Sequence, residues 1–258
     1  MPHNPRKRFG QNFLIDNHLI AAIIHAINPI SSDRLVEIGP GMGALTKPLL
    51  KILDHLCVVE IDRDIVQWLY AEFPEQKLTI YATDALRFDF AQLGAGLRII
   101  GNLPYNISTP LLFHLSQYSA FVVDMHFMLQ QEVVDRMVAE PSTAEYGRLS
   151  VMLKNQYEME KLLSVPAESF RPAPKVQSAI VRMIPRAMPI VPIADHSLFT
   201  KIVIAAFAQR RKTLRNTLRS YLALADFTAL NLDPSARAEN LSVLDYAALT
   251  HYLKADAR

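Results

Sequence analysis

The chain has 258 residues, half of them hydrophobic and a fifth charged, with a formal net charge of +2. That size and balance suit a folded protein with one large and one small domain, and exclude a disordered or low-complexity chain. A single cysteine, Cys57 in an apolar run, excludes an intrachain disulfide; with no apolar run of membrane-spanning length and no signal-type segment after the basic start, a cytoplasmic protein without a membrane partner is expected.

The small net charge hides an asymmetry. From Arg186 to Arg258 there are 10 Lys/Arg against 6 Asp/Glu, a net of +4, which leaves −2 for everything before it. Clustered positive charge of this kind suits a polyanionic partner.

In chain order, Arg6, Lys7 and Arg8 form a basic arm suited to phosphate, followed by Phe9-Gly10-Gln11-Asn12-Phe13-Leu14, read as a segment that folds over a ligand. Leu19, Ile20, Ile23, Ile24 and Ile27 recur at helical spacing, with Asp16 or Asn17 as the cap. His18 and His25 lack a partner at metal-ligand spacing, so no metal is expected. Arg34 to Ile38 reads as a buried strand running into Gly39-Pro40-Gly41-Met42-Gly43, a turn whose glycines let the backbone approach a cofactor. The next helix passes through Leu45, Leu49, Leu50 and Leu53. A strand from Leu56 to Ile61 then carries Glu60, about 20 residues past the first glycine, where an acid can receive both hydroxyls of a ribose.

Gly39, Gly41 and Ala44 also satisfy the dinucleotide pattern G-x-G-x-x-A, so a nicotinamide enzyme is one reading. Two later strand ends favour another. Leu78 to Tyr81 runs into Thr83-Asp84-Ala85, where the acid can accept from an adenine 6-amino group while Ile61 packs on the ring. The strand Leu97 to Ile100 then opens into Gly101-Asn102-Leu103-Pro104-Tyr105-Asn106-Ile107-Ser108. Acids and amides at successive strand ends facing one crevice suit a nucleoside-bearing small cofactor, and S-adenosylmethionine fits better than a dinucleotide. Within the loop, Asn102 offers an amide oxygen, Pro104 a carbonyl and Tyr105 a π-face, together able to hold a flat heterocycle with an exocyclic amine.

A helix follows, with Ser108 or Thr109 as its cap, then a long buried strand from Phe121 to Leu129 and helices from Gln131 and near Tyr146. Two last strands, near Met159 to Val165 and Ser178 to Ile184, are expected to form an antiparallel hairpin closing the sheet. Between them, Phe170-Arg171-Pro172-Ala173-Pro174-Lys175-Val176 combines an aromatic, flanking bases and stiffening prolines. Prolines 185, 189 and 192 mark a boundary, giving domains 1–185 and 186–258. Leu198 to Tyr221 has six Lys/Arg and no acid; read as a continuous helix, it places Arg211, Arg215 and Arg219 on one face.

With these motifs assembled, the chain resembles the ribosomal RNA adenine N6-dimethyltransferase family, and within it the small-subunit (16S) branch. The likeness spans almost the whole chain, through Arg8 to Leu14, Glu37 to Gly41, Asn102 to Ser108, Phe170 to Val176, Gln209-Arg210-Arg211-Lys212 and Arg237 to Ser242. It implies an α/β, Rossmann-like, seven-stranded class I methyltransferase sheet, mostly parallel with an antiparallel last strand, and a small C-terminal all-helical domain. It also implies that Asn12, Leu14, Gly39, Gly41, Glu60, Ile61, Asp84, Ala85 and Asn102 line an S-adenosylmethionine site. Asn102, Leu103, Pro104, Tyr105 and Phe170 would hold the target base, and Arg6, Lys7, Arg8, Arg210, Arg211, Lys212 and Arg215 would hold RNA. The implied substrate is a pair of adjacent adenosines near the 3′ end of small-subunit rRNA, each dimethylated at N6. The implied partner is the assembling 30S particle, met by a monomer. An Erm-type enzyme acting on large-subunit rRNA and an assembly factor acting by binding are the alternatives.

Overall fold

Apolar runs of about five residues separated by amphipathic stretches become strands covered on both faces, because each run has no polar side to offer water. The computed structural model describes residues 11–256. Its elements run β1 (Phe13–Leu14), α1 (Asn17–Ile27), β2 (Arg34–Ile38), α2 (Thr46–Leu49), β3 (Leu56–Glu60), α3 (Arg63–Glu72), β4 (Leu78–Ala82) and β5 (Leu97–Asn102). They continue with α4 (Ser108–Leu115), β6 (Val122–Gln130), α5 (Gln131–Val138), α6 (Arg148–Lys154), β7 (Tyr157–Val165), β8 (Phe170–Arg171) and β9 (Ser178–Pro185). Four helices close the chain: α7 (His196–Ala206), α8 (Leu214–Thr217), α9 (Leu224–Ala229) and α10 (Val243–Asp256).

Seven strands form one sheet in the order β4-β3-β2-β5-β6-β9-β7. β2 to β6 pair in parallel and β9 runs antiparallel to β6. The chain winds outward from β2 through β3 to β4, then returns to place β5 on the other side of β2. That reversal opens a crevice beyond the carboxyl ends of β2 and β5, where open α/β sheets bind ligands. β7 and β9 are neighbours at the sheet's end, as expected of the closing strands.

Two compact units emerge, one ending at Val134 and resuming over Glu160–Pro185, the other comprising Asp135–Met159 and Arg186–Arg258. The break at 185/186 falls where the prolines put it, but Asp135–Met159, expected in the first domain, belongs to the second unit. Hydrogen bonds explain the assignment: Ser142 N–H donates to the Glu239 carbonyl (2.8 Å), Tyr146 Oη to the Leu241 carbonyl (2.9 Å), and Val191 N–H to Asn155 Oδ1 (2.7 Å).

In the first unit, Ile23 and Ile27 of α1, Leu49, Leu53, Leu56, Ile65, Leu69 and Ile100 pack into one apolar core. α1 begins at Asp16, whose carboxylate accepts the N–H groups of His18 and Leu19. Arg98 of β5 grips Asp124 through two nitrogens at 2.9 and 2.8 Å and Asp33 at 2.6 Å, and donates to the Ile27 carbonyl at the end of α1. A planar guanidinium with this many acceptors locks the start of β5 and so aims its far end.

In the second unit, Phe199, Ile202 and Val203 of α7, Phe227 of α9 and Tyr246 and Leu249 of α10 are buried. The expected continuous basic helix is absent. α7 stops at Ala206 and α8 holds only Leu214–Thr217. The Leu214 and Arg215 N–H groups, which a continuous helix would use internally, donate instead to the carbonyls of Ala236 and Pro234. Arg210, Arg211, Lys212, Arg215 and Arg219 are all exposed, but on a turn and one short helix rather than one helical face. Leu214, Leu218 and Leu222 are buried and Tyr221 is partly buried.

Candidate active site

The crevice at the switch point is a cleft of about 990 Å³ within the first unit. Its lining includes Asn12, Leu14, Gly39, Gly41, Glu60, Ile61, Asp84, Ala85, Asn102, Leu103, Pro104 and Tyr105. These are all the residues expected at the cofactor and the target base except Phe170.

Phe170 lies elsewhere. It pairs with Leu14 across an antiparallel two-stranded ribbon formed by β1 and β8, and only 4% of it is exposed within the apolar core. In this conformation it is a core residue and offers no stacking face. Its neighbour Arg171, paired with Phe13, reaches the cleft lining instead. Ile15 N–H donates to the Ser169 carbonyl (2.9 Å) and Ser169 Oγ to Asp16 (3.1 Å), so residues 13–16 and 169–171 are tied together. This ribbon joins segments more than 150 residues apart, and no local pattern announces it.

The glycine turn after β2 must pass beneath that ribbon. Gly41 sits at φ +53°, and a Cβ there would lie 3.1 Å from the Phe13 ring. Gly101 matters more and was missed. A Cβ at Gly101 would meet the Ile38 carbonyl oxygen at 2.6 Å and Leu103 Cδ2 at 2.9 Å. The strand runs to Asn102 rather than ending at Ile100, which puts Gly101 inside it, and a glycine inside a strand marks such close approach.

Glu60 ends β3 with 6% exposure, and its Oε1 accepts the Asp62 N–H at 2.8 Å. Burial pushes its pKa above the ordinary carboxylate value, against backbone N–H groups of Asp62, Ile61 and Gly41 that favour the charged form. Asp62 caps α3 and accepts from Gln11 Nε2 at 3.0 Å, tying the segment before β1 to the end of β3. Asp84 keeps one oxygen on the Leu86 N–H at 2.9 Å, and Ile61 is exposed toward solvent. Three strand ends thus present a carboxylate, a carboxylate and an amide to one crevice.

Asn102, the last residue of β5, supplies the amide. Its Nδ2 donates to the Asn12 backbone carbonyl at 3.1 Å. A carbonyl can only accept, so this bond fixes which amide atom is nitrogen and leaves Oδ1 as the acceptor. Downstream, Leu103 N–H donates to the Met128 carbonyl (3.1 Å), Ile107 N–H to the Pro104 carbonyl (3.1 Å) and Ser108 Oγ to the Tyr105 carbonyl (2.9 Å). Ser108 and Thr109, the two expected caps of α4, both lie within its first turn, and Ser108 braces the loop instead. The Pro104 carbonyl retains one lone pair beyond the Ile107 bond.

Glu37 also lines the cleft, 2% exposed, and accepts from Thr46 Oγ1 at 2.6 Å. Burial lifts its carboxyl from 4.5 to about 7; the Thr46 bond opposes the rise and the Glu60 charge adds to it. A folded value above the unfolded one means that the native state binds more protons between pH 4.5 and 7, so stability falls as pH rises through that window. Urea denaturation from pH 5 to 8 therefore separates wild type from Glu37→Gln: the variant gains on wild type by roughly 2 kcal/mol across the range. Equal pH slopes would mean that Glu37 remains ionised in the fold.

The comparisons with known proteins fit this geometry. The family model described as ribosomal RNA adenine dimethylase matches residues 2–255. The chain belongs to the ribosomal RNA adenine dimethylase family. It is therefore an S-adenosylmethionine-dependent methyltransferase of ribosomal RNA. It is 62% identical over 253 residues to a protein of Nitrosomonas eutropha named ribosomal RNA small subunit methyltransferase A, covering 98% of each chain. Among solved structures it is similar to a dimethyladenosine transferase from Plasmodium falciparum, with TM-score 0.79 and 24% identity over 95% of this chain and 98% of that one. It is also similar to the 23S rRNA methyltransferase ErmE, with TM-score 0.73 and 24% identity over 94% and 100%. The two structures establish the class I methyltransferase fold.

Arg210, Arg211, Lys212 and Arg215 lie in the second unit, and Arg6, Lys7 and Arg8 lie outside the described residues. Among the described residues, no group of three or more His, Cys, Asp or Glu could hold a metal ion, and no helix is long and apolar enough to cross a membrane.

Proposed function

We propose that this chain dimethylates N6 of two adjacent adenosines in small-subunit (16S) rRNA, acting as a monomer on the assembling 30S particle and without a metal. When bound, S-adenosylmethionine supplies an activated methyl group on a sulfonium. The buried carboxylate of Glu60 would hold its ribose hydroxyls and Asp84 its adenine amine, with Ile61 and Ala85 against the ring. The Gly39–Gly41 turn and the ribbon residues Asn12 and Leu14 would enclose the rest. A cradle that a Cβ at Gly41 would fill, beside a desolvated acid with backbone donors, suits such a group.

The observation that carries the target chemistry is the Asn102 amide, anchored through Nδ2 so that Oδ1 remains an acceptor beside Pro104 and Tyr105. The N6 lone pair of adenine is conjugated with the ring and is a poor nucleophile. Acceptance of its two hydrogens by Asn102 Oδ1 and the Leu103 or Pro104 carbonyl favours a pyramidal nitrogen with its lone pair free. No general base is required before transfer: the alkylated, cationic N6 afterwards releases one proton to water, and the catalysis lies in position and electrostatics. Extruding the base costs a few kcal/mol, which stacking on Tyr105 offsets by about 1–3 kcal/mol.

ErmE shares the fold, so the fold supports a large-subunit substrate equally. Similarity at 62% over 98% of the chain to a small-subunit enzyme favours the small subunit. Incubation of unmodified rRNA with S-adenosylmethionine, followed by nucleoside analysis, tests the chemistry. N6,N6-dimethyladenosine is the expected product, and any other methylated nucleoside in its place would overturn the assignment.

The exposed cations of the 210–215 segment support a phosphate contact surface. Reversing Arg210, Arg211 and Lys212 to Glu is expected to weaken RNA binding and reduce the slope of log K against log salt by about 2–3, near 0.9 per lost duplex phosphate contact. An unchanged slope in filter-binding titrations would show that these side chains are only solvated.

A further inference from the structure

We infer that Ser178 is a positioning residue for base capture: its hydroxyl pins the far end of the Tyr105 ring, and that pin matters most for the second methyl transfer to each adenosine. The inference rests on the reading of Tyr105 as the stacking platform.

Tyr105 Oη and Ser178 Oγ lie 2.8 Å apart. Ser178 is fully buried at the first position of β9, in register with Gln130 of β6. The adjoining Gln177 carbonyl accepts the Gln131 N–H at 3.0 Å, so the serine stands on a strand end held by the sheet itself. The tyrosine stands on a loop braced at Leu103, Ile107 and Ser108. Those braces fix its backbone and leave the ring two torsions. The hydroxyl pair removes the first of them: rotation about Cα–Cβ carries Oη out of bonding range and swings the ring away, whereas rotation about Cβ–Cγ turns the ring on the axis through Oη and leaves the bond intact. Half-burial keeps the phenol protonated, with its pKa raised, so the contact is a neutral hydrogen bond across the neutral pH range.

The chemistry makes the two transfers unequal in their need for this pin. An unmodified amine presents two N–H groups to two acceptors. After one transfer it presents one, and the base loses a hydrogen bond that had fixed its rotation. Stacking then carries a larger share of the orientation. A ring free to swing leaves the first transfer weakly affected and the second strongly affected.

Single-turnover methylation of unmodified small-subunit RNA, with mono- and dimethyladenosine quantified separately, tests this. Ser178→Ala and Tyr105→Phe each remove one end of the bond. Both are expected to slow the second transfer about fivefold, as loss of one hydrogen bond predicts. In Ser178→Ala the first transfer should change less than twofold, and monomethyladenosine should accumulate in both variants. The double variant should be no worse than either single one. A general loss of folding would lower both transfers together and leave the product ratio unchanged. A wild-type product ratio in Ser178→Ala, or losses that multiply in the double variant, overturns the inference. Tyr105→Ala separates this failure from that of the platform. If Tyr105→Ala methylates normally, the platform reading itself falls. If it loses turnover while Ser178→Ala keeps the wild-type ratio, only the pin falls.

Discussion

Asn102→Ala is expected to reduce methyl transfer by about three orders of magnitude, the scale seen when one group preorganised for the transition state is removed. The substitution deletes two things at once. Oδ1 no longer accepts from the target amine, and Nδ2 no longer holds the Asn12 carbonyl. RNA binding should largely survive, since phosphate contacts dominate affinity and none is lost. Cofactor affinity should fall modestly through the freed Asn12 segment. Asn102→Asp separates the two losses: it keeps the acceptor oxygens but cannot donate to Asn12. Quenched-flow transfer rates beside calorimetric cofactor binding measure each part. Near-wild-type methylation by Asn102→Ala would refute catalysis by positioning at this residue.

Gly101→Ala is the second large effect, and it acts through the backbone. A methyl group placed 2.6 Å from the Ile38 carbonyl oxygen meets main chain rather than a side chain that can rotate away. β2 and β5 are paired there, Ile38 with Gly101, so the strands must separate at the mouth of the cleft. Overpacking of this kind costs typically about 1–3 kcal/mol, and in a chain of this size lowers Tm by roughly 3–10 °C. The same displacement carries Asn102 away from Asn12, so cofactor affinity and turnover fall with stability. Gly147→Ala is the matched control: its backbone is extended and a Cβ there meets nothing within 4 Å. Differential scanning calorimetry of the two variants decides the point; equal melting temperatures would show that the strands accommodate the methyl group.

Much of the cleft was legible because local cues and fold topology coincide there. A strand ending in Gly39-Pro40-Gly41, another ending in Glu60 and a third followed by Asp84 each carry their own signature, and parallel pairing brings such ends together without further information. Asn102 was legible for the same reason. What was not legible depends on distant partners. The β1–β8 ribbon pairs Leu14 with Phe170, and nothing within either segment specifies the other. Phe170 therefore read as an aromatic holding the target base when it is a core residue. The basic stretch read as one helix because its leucines keep helical spacing. The carbonyls of Pro234 and Ala236 take the N–H groups that would have continued it, a tertiary capture that overrides local propensity. The unit boundary was half legible: prolines mark residue 185, but hydrogen bonds from Ser142, Tyr146 and Val191 bring Asp135–Met159 into the second unit.

The choice between ribosomal subunits bears most directly on the proposed function, since the fold alone accommodates both. Labelled S-adenosylmethionine incubated with a mixture of unmethylated small and large subunits, followed by mapping of the label, makes the choice. Label confined to two adjacent adenosines of small-subunit rRNA, each carrying two methyl groups at N6, is the predicted result; label found only in large-subunit rRNA would contradict it.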